Sequence, residues 1–370
     1  MNKESLIKLK NIASAIRVNY RGKKLDKKYV IFESDDWGAI RTPSKNALDV
    51  YSANKIDLSK SFYKYDSLEN SNDFERIFEV LNSVKDVNGY PAKITANTIV
   101  ANPDFDKIEK YHYKEFFLEP FTESYRNYQS SSSTFEFFKK GINDGFIVPQ
   151  FHGREHLNIT RWLNDLNNKK EKTLLSFHLK STFSGTGDYS YMEAFDWDSK
   201  DEIEFHKMII SDGLKLFKKI FGFSSKSFIP PCYNLDPDLH GFLYDHGIEI
   251  LQGMRVQLAP TGEFNRYKKI PHYFFEKDIS GLLYNIRNVN FEPVFNKDFD
   301  WVNKSMKDIE IAFLFGKPAV ISTHRINYIS SISQKNGEFG LRLLSELLKK
   351  IVVKWPDIEF ISTPDLLNLD

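Results

Sequence analysis

The chain has 370 residues, 41% hydrophobic and 15% aromatic, enough apolar material for a sizeable core in one large domain or two. Lys and Arg total 51 against 50 Asp and Glu, a balance that offers no basic field for nucleic acid and no acidic, disordered tail. A single cysteine, Cys232, excludes an intramolecular disulfide framework and a cysteine-based zinc cluster.

Residues 1–25 read as an amphipathic helix followed by a basic segment. Leu6, Ile7, Leu9, Ile12 and Ile16 fall on one stripe. The start lacks a secretory apolar region and cleavage site, which points to the cytoplasm, and no window reaches the roughly 18 apolar residues of a membrane span. Residues 26–370 then alternate strand and helix. Tyr29, Val30, Ile31 and Phe32 begin a buried strand. A helical period runs over 72–84, and "AKITANTIV" at 92–100 is strand-like. The stretch 101–140 reads as an insertion over one face, rich in aromatics. Its Tyr111, Tyr113, Phe116, Phe117 and Phe121 offer either faces for a sugar or a satellite core under a long loop. Strands are predicted at 145–151 and 172–179, a helix at 201–222, strands at 227–230, 248–254 and 281–289, a helix at 300–316, a strand at 318–323, a helix at 340–355 and a strand at 358–363. This alternation predicts an α/β fold with a largely parallel sheet, open or closed as a barrel, with no internal repeat and no dividing linker.

The chemistry-bearing residues stand at strand ends, where parallel α/β folds place their ligand sites. In "ESDDWG", Asp35 and Asp36 follow the first strand, and adjacent carboxylates there point in different directions. One can hold a cation while its neighbour works on what that cation binds; a helix N-cap is the plainer reading. In "PQFHGREHLN", His152 and His156 are four apart, a spacing that brings two imidazoles to one cation on a helical turn. The spelling H-x-x-E-H matches inverted zincins with Glu155 as base, but Pro149 and Gly153 suit a strand-to-helix corner rather than their long helix. "SFIPPCYNLD" at 227–236 and "PAVISTHRINY" at 318–328 also end apolar runs in constrained or polar residues; alone, His324 reads as a satisfied core histidine.

Taken in order, "ESDDWG", "HGREH", "FIPPCY", "DFDW" and "AVISTH" resemble the five motifs of the polysaccharide deacetylase (carbohydrate esterase family 4) superfamily, across about residues 28–370. The resemblance implies a distorted, TIM-like (β/α) barrel of about seven parallel strands. It makes Asp36, His152 and His156 ligands of a divalent metal such as zinc, Asp35 the general base and His324 the acid, with Asp300 orienting His324. A backbone N–H near Tyr233 would face the oxyanion, and Trp37, Tyr233, Arg154 and Arg325 are the candidate substrate contacts. Two neutral imidazoles and one carboxylate suit such a cation and leave positions open for water and a carbonyl oxygen.

Two positions depart from the motifs. Ile229 stands where the family has the arginine that pairs with the base, so Arg154, Arg287 or Arg325 has to supply that charge from another strand. Trp37 stands where the family has glycine. The leading expectation is a metal-dependent hydrolase that removes an acetyl or other acyl group from a carbohydrate. A non-catalytic carbohydrate-binding protein on the same scaffold is the second reading. A facial-triad iron oxygenase is the third, opposed by the α/β pattern.

Overall fold

The computed structural model describes residues 12–59, 61–128, 133–186 and 190–369. Its main sheet has nine strands: β1 (Tyr29–Trp37), β2 (Ile94–Ile99), β3 (Ile147–Gly153), β4 (Ser227–Phe228), β5 (Ile250–Gly253), β6 (Leu283–Ile286), β7 (Val289–Asn290), β8 (Ala319–His324) and β9 (Glu359–Phe360). All pair in parallel, in the order β6-β5-β4-β3-β2-β1-β8-β7, with β9 against the start of β1. The two edges of this order are consecutive in the chain. β6 pairs with β5, and two residues later β7 pairs with β8. Between them the Arg287 N–H reaches the Gly253 carbonyl (2.9 Å) and the Asn288 N–H the Val320 carbonyl (3.2 Å). One continuous stave therefore closes the curled sheet into a distorted (β/α) barrel.

Alternation along each strand sorts side chains between the lumen and the outer shell. Outward, Val30, Phe32, Ile94, Ala96, Ile147, Ala319 and Ile321 form the main core. Against them pack helices α1 (Ser71–Asn82), α2 (Thr134–Asn143), α4 (Trp301–Leu314) and α5 (Gln334–Lys354), while α3 (Glu202–Phe221) covers β3. The amphipathic α1 shows why: Phe74, Ile77, Phe78 and Leu81 make one buried stripe, and Asn70 and Asp73 close a capping box at its start. Inward, Ile31, Ile250, Leu283 and Val320 form an apolar floor. Above that floor the lumen turns polar, with Glu33, Gln150, Gln252 and Asn285 all buried.

Several expectations change here. The strand predicted at 172–179 is the helix Glu171–His178, whose buried face is Thr173, Ser176 and Phe177. Periodicity alone does not separate a short buried helix from a strand. Of the N-terminal amphipathic helix, Leu6, Ile7 and Leu9 lie outside the described residues. The described part, 12–19, lies at the closing stave, where Asn19 Oδ1 accepts from Asn288 Nδ2 (2.8 Å). Most of the named aromatics of 101–140 join satellite clusters, while Tyr111 stays exposed against Phe117. Tyr113, Phe116 and Phe117 pack against a cluster holding Trp162 and Phe177, and Phe121 is fully buried beside Tyr125. No helix among the described residues is long and apolar enough to cross a membrane.

Trp37 is not a substrate contact. It is fully buried in the outer core, stacks on Phe74 at 5.5 Å, and donates its indole N–H to Ser34 Oγ (3.0 Å). Replacing it with alanine removes a large buried ring, so Trp37→Ala should cost about 3–5 kcal/mol in urea unfolding while leaving metal content per folded protein unchanged.

Candidate metal centre

Two β-bulges build the site. Along β1, Ser34 faces Ala96 and Trp37 faces Thr98, so β1 carries one extra residue there. Asp36 lies in that bulge with φ at 75°, a left-handed backbone that an aspartate tolerates better than most residues. Along β3, Phe151 faces Thr98 while Gly153 faces Ile99, which again leaves one extra residue, His152. In regular strands Asp35 and Asp36 would point to opposite faces; the bulge re-aims Asp36, so both serve the mouth of the barrel.

Asp36, His152 and His156 converge: one ligand atom from each lies within 4.8 Å of the others. Both imidazole Nε2 atoms face Asp36 Oδ1, His152 at 3.3 Å and His156 at 3.6 Å. His156 sits in the loop before the helix Ile159–Asn167, at a strand-to-helix corner rather than on a helical turn. His152 Nδ1 stands 2.8 Å from the Ile229 carbonyl, an acceptor that keeps the proton on Nδ1 and leaves Nε2 free to ligate. Burial, followed by the charge of Arg41, holds the His156 imidazole far below its ordinary pKa and therefore neutral. Asp36 Oδ2 is buried without a hydrogen-bond partner among the described residues. An orphaned carboxylate oxygen beside two imidazoles is the donor set a zinc-like cation takes, and these residues fit one.

Arg41 is part of the site and has no counterpart in the sequence motifs. It donates Nη2–H to Asp36 Oδ1 (2.8 Å), and Nη1 stands 3.3 Å from Asp66. Burial alone would raise the Asp36 pKa, but Arg41 and the two histidines bring it well below the ordinary value.

The charge that Ile229 does not supply comes from Arg287, on the closing stave. Its Nη1 and Nη2 each reach one oxygen of Asp35 at 2.6 Å, and its Nε reaches Glu33 Oε2 at 2.7 Å. Asn97 Nδ2 adds a third donor to Asp35 (2.7 Å). Burial opposes ionisation of Asp35, yet the Arg287 charge and hydrogen bonds, then His152 and His324, lower its pKa to about 2. Glu33 accepts further from Asn285 (2.7 Å) and Thr363 (2.6 Å).

His324 ends β8 with Nε2 3.8 Å from Asp35. Its Nδ1 pairs with Glu292 at 2.6 Å, and Glu292 also accepts from Asn327 (2.7 Å). Burial would lower the His324 pKa; Glu292, with Asp35 and Asp36 behind it, raises it to about 9. Asp300 is not the orienting carboxylate. It is the exposed N-cap of α4, accepting the Asn303 N–H (3.0 Å), a role an Asp before a helix commonly fills.

The other proposed contacts fall elsewhere. Arg154 pairs with its neighbour Glu155 (2.6 Å) and stands 3.5 Å from Asp212 on α3, tying the corner after β3 to that helix. Arg325 is fully buried between Asp66 and Glu69. Tyr233 does reach the site, where its hydroxyl accepts from Arg287 Nη1 (3.2 Å), but its backbone N–H turns back to the Pro230 carbonyl (2.9 Å).

No family model and no curated protein matches this chain. Among solved structures it is similar to the peptidoglycan deacetylase PdaC from Bacillus subtilis, with 10% identity and a TM-score of 0.37 over 93% of this chain and 91% of that one. It is similar to the Bc1960 peptidoglycan N-acetylglucosamine deacetylase, with 12% identity and a TM-score of 0.37 over 93% and 90%. A 4-alpha-glucanotransferase from Thermococcus litoralis aligns with 11% identity and a TM-score of 0.48 over 93% of this chain and 40% of its own.

If the convergent donors hold a cation, Asp36→Ala, His152→Ala and His156→Ala should each lower the zinc retained after dialysis, measured by elemental analysis, while Asp300→Asn and Arg154→Gln retain it. Equal zinc in all five variants would rule out the site.

Proposed function

We propose that this chain is a metal-dependent hydrolase that removes an acetyl or other acyl group from a carbohydrate or sugar-linked substrate. The observation that carries the reading is the opposed tuning of two neighbours beside the donor trio. Asp35 is held ionised by Arg287, and His324 is held protonated by Glu292, 3.8 Å away. Pairs of titratable groups pushed apart in pKa are the arrangement that assigns a base and an acid. The order of the sequence motifs supplies the substrate class, and the motive for a merely binding protein weakens because Arg287 fills the charge that Ile229 lacks.

A divalent cation bound by Asp36, His152 and His156 would lower the pKa of a bound water and polarise the acyl carbonyl. The chain's own residues do the rest. His156 stays a neutral donor through burial, and His152 is oriented through the Ile229 carbonyl. Asp35 takes the proton released as water attacks. At about 2 its pKa leaves it ionised throughout the working range. His324 then gives its Nε2 proton to the departing amine or alcohol, and Glu292 stabilises the imidazolium until that moment. Asn97 and Arg287 fix Asp35 so that neither oxygen swings out of line.

Zinc-loaded protein should release acetate from an acetylated sugar oligomer. Asp35→Asn should lower turnover by at least ~10²-fold with zinc still bound, the lower end of a general-base contribution. Full activity in that variant would remove Asp35 as the base, and no turnover of any acetylated sugar with several metals would remove the reading itself.

The pH profile tests the acid separately. His324 works protonated, below its pKa, so wild-type activity should persist up to about pH 9. In Glu292→Gln burial still lowers that pKa while the raising charge is gone. The alkaline limb should move to lower pH, with the acidic limb unmoved. A limb that stays in place would separate Glu292 from the acid.

A further inference from the structure

Between helix 12–19 and the segments around Arg255 and Tyr273, a cleft of about 390 Å³ is lined by Ile16, Arg17, Tyr20, Arg21, Arg255 and Tyr273, among others. None of the proposed metal ligands, base or acid lines it. Of the chain's twelve arginines, eight stand within 4.0 Å of a carboxylate among the described residues. Three of the other four are Arg17, Arg21 and Arg255, which make no side-chain hydrogen bond or ion pair among the described residues. Glu276, an acidic side chain that touches cleft residues, is already engaged by the Tyr273 N–H (3.0 Å) and stands 3.3 Å from His272 Nδ1.

Three guanidinium groups around one concavity, without a carboxylate partner among the described residues, on a chain whose net charge is only +1, are a local field rather than a general one. Guanidinium forks match the paired oxygens of a phosphoryl group, and several together balance a dianion that a single lysine would hold only as a point charge. The cleft is larger than inorganic phosphate needs. Its remaining walls, Ile16 at 40% exposure, Tyr20 at 69% and Tyr273 at 36%, offer apolar and aromatic surface to an organic body.

We propose that this cleft is a second ligand site, which takes a phosphoryl group carried on an organic body. Arg17, Arg21 and Arg255 hold the phosphoryl oxygens and Tyr20 and Tyr273 flank the body. A soluble sugar phosphate and a phospholipid headgroup share that chemistry.

Titration calorimetry of the full chain with glucose 1-phosphate should give saturable, salt-weakened binding, and the triple variant Arg17→Gln, Arg21→Gln, Arg255→Gln should bind at least ~10-fold more weakly. Tyr20→Ala should weaken glucose 1-phosphate but not inorganic phosphate. Sedimentation with phosphatidylglycerol-containing phosphatidylcholine vesicles separates the sources. Co-sedimentation that the triple variant loses and glucose 1-phosphate competes away assigns a headgroup; binding of the sugar phosphate alone assigns a soluble ligand. Arg17 and Arg21 are exposed, so the single variants Arg17→Gln and Arg21→Gln carry the test if the triple variant melts early. The proposal falls if neither glucose 1-phosphate nor the vesicles bind, or if the arginine variants bind as the parent does. Because zinc content and deacylation are read on the same preparations and should not change, failure here is distinct from failure of the hydrolase reading.

Discussion

Glu33 and Asp35 face the same lumen from alternate positions of one strand, and the guanidinium of Arg287 between them opposes the cost of burying both. Removing two carboxylates from solvent is costly unless geometry and hydrogen bonds repay the desolvation, and here one planar fork engages three of their four oxygens. Burial still pushes the Glu33 carboxyl up against the pull of Arg287, so the pair is unequal: Glu33 holds the arginine and the arginine holds Asp35 ionised. The position of Arg287 follows from barrel closure. It falls in the two-residue gap where the last stave stops pairing with β5 and begins pairing with β8, at the mouth and pointing inward. An arginine just after β4 is thus dispensable, and the buried Ile229 there offers its backbone carbonyl to His152.

A second set of buried charges fixes the loop beyond β1. Arg41 spans Asp36 and Asp66; Arg325 spans Asp66 and Glu69 and also donates to the Ala39 carbonyl. Glu69 in turn accepts from the Gly38 N–H (2.9 Å) and from the Tyr125 hydroxyl. These contacts pin 36–41 from several sides, which is what a left-handed aspartate in a bulge needs to persist. Arg325 therefore acts on the site through the backbone that carries Asp36, not through a substrate.

The parts of this arrangement that were legible in the sequence are those that depend on local pattern. Strand ends bearing Asp35, Asp36, His152 and His324 are visible because apolar runs stop there, and the long helices are visible through their 3.6-residue stripes. What was not legible depends on pairing across the sheet. No local signal shows that Asp36 and His152 sit in bulges, since a bulge is defined by its partner strand. Glu292 carries no local signal because it follows a two-residue strand, whereas Asp300 precedes a helical period and so carries a cap signal in its own right. Arg287 was one of three candidates, and only closure of the barrel separates it from Arg154 and Arg325. The strand expected at 172–179 failed because "TLLSFHL" is too short for its period to distinguish strand from helix.

Arg287 and Glu292 tune the two groups beside the metal donors in opposite directions, and they lie five residues apart on one stretch of chain. Arg287 lowers Asp35 to about 2 and Glu292 raises His324 to about 9. The short β7 between them is hydrogen-bonded to β8, the strand that carries His324, so its register decides which residue faces which. A slip of one residue would turn Arg287 out of the lumen and move Glu292 off His324 Nδ1 together. That stretch also lacks a crossover helix of its own, and helix 12–19 lies against it through Asn19 and Asn288. The segment that closes the barrel thus also sets the charge of Asp35 and of His324, and the N-terminal helix is the element that backs it.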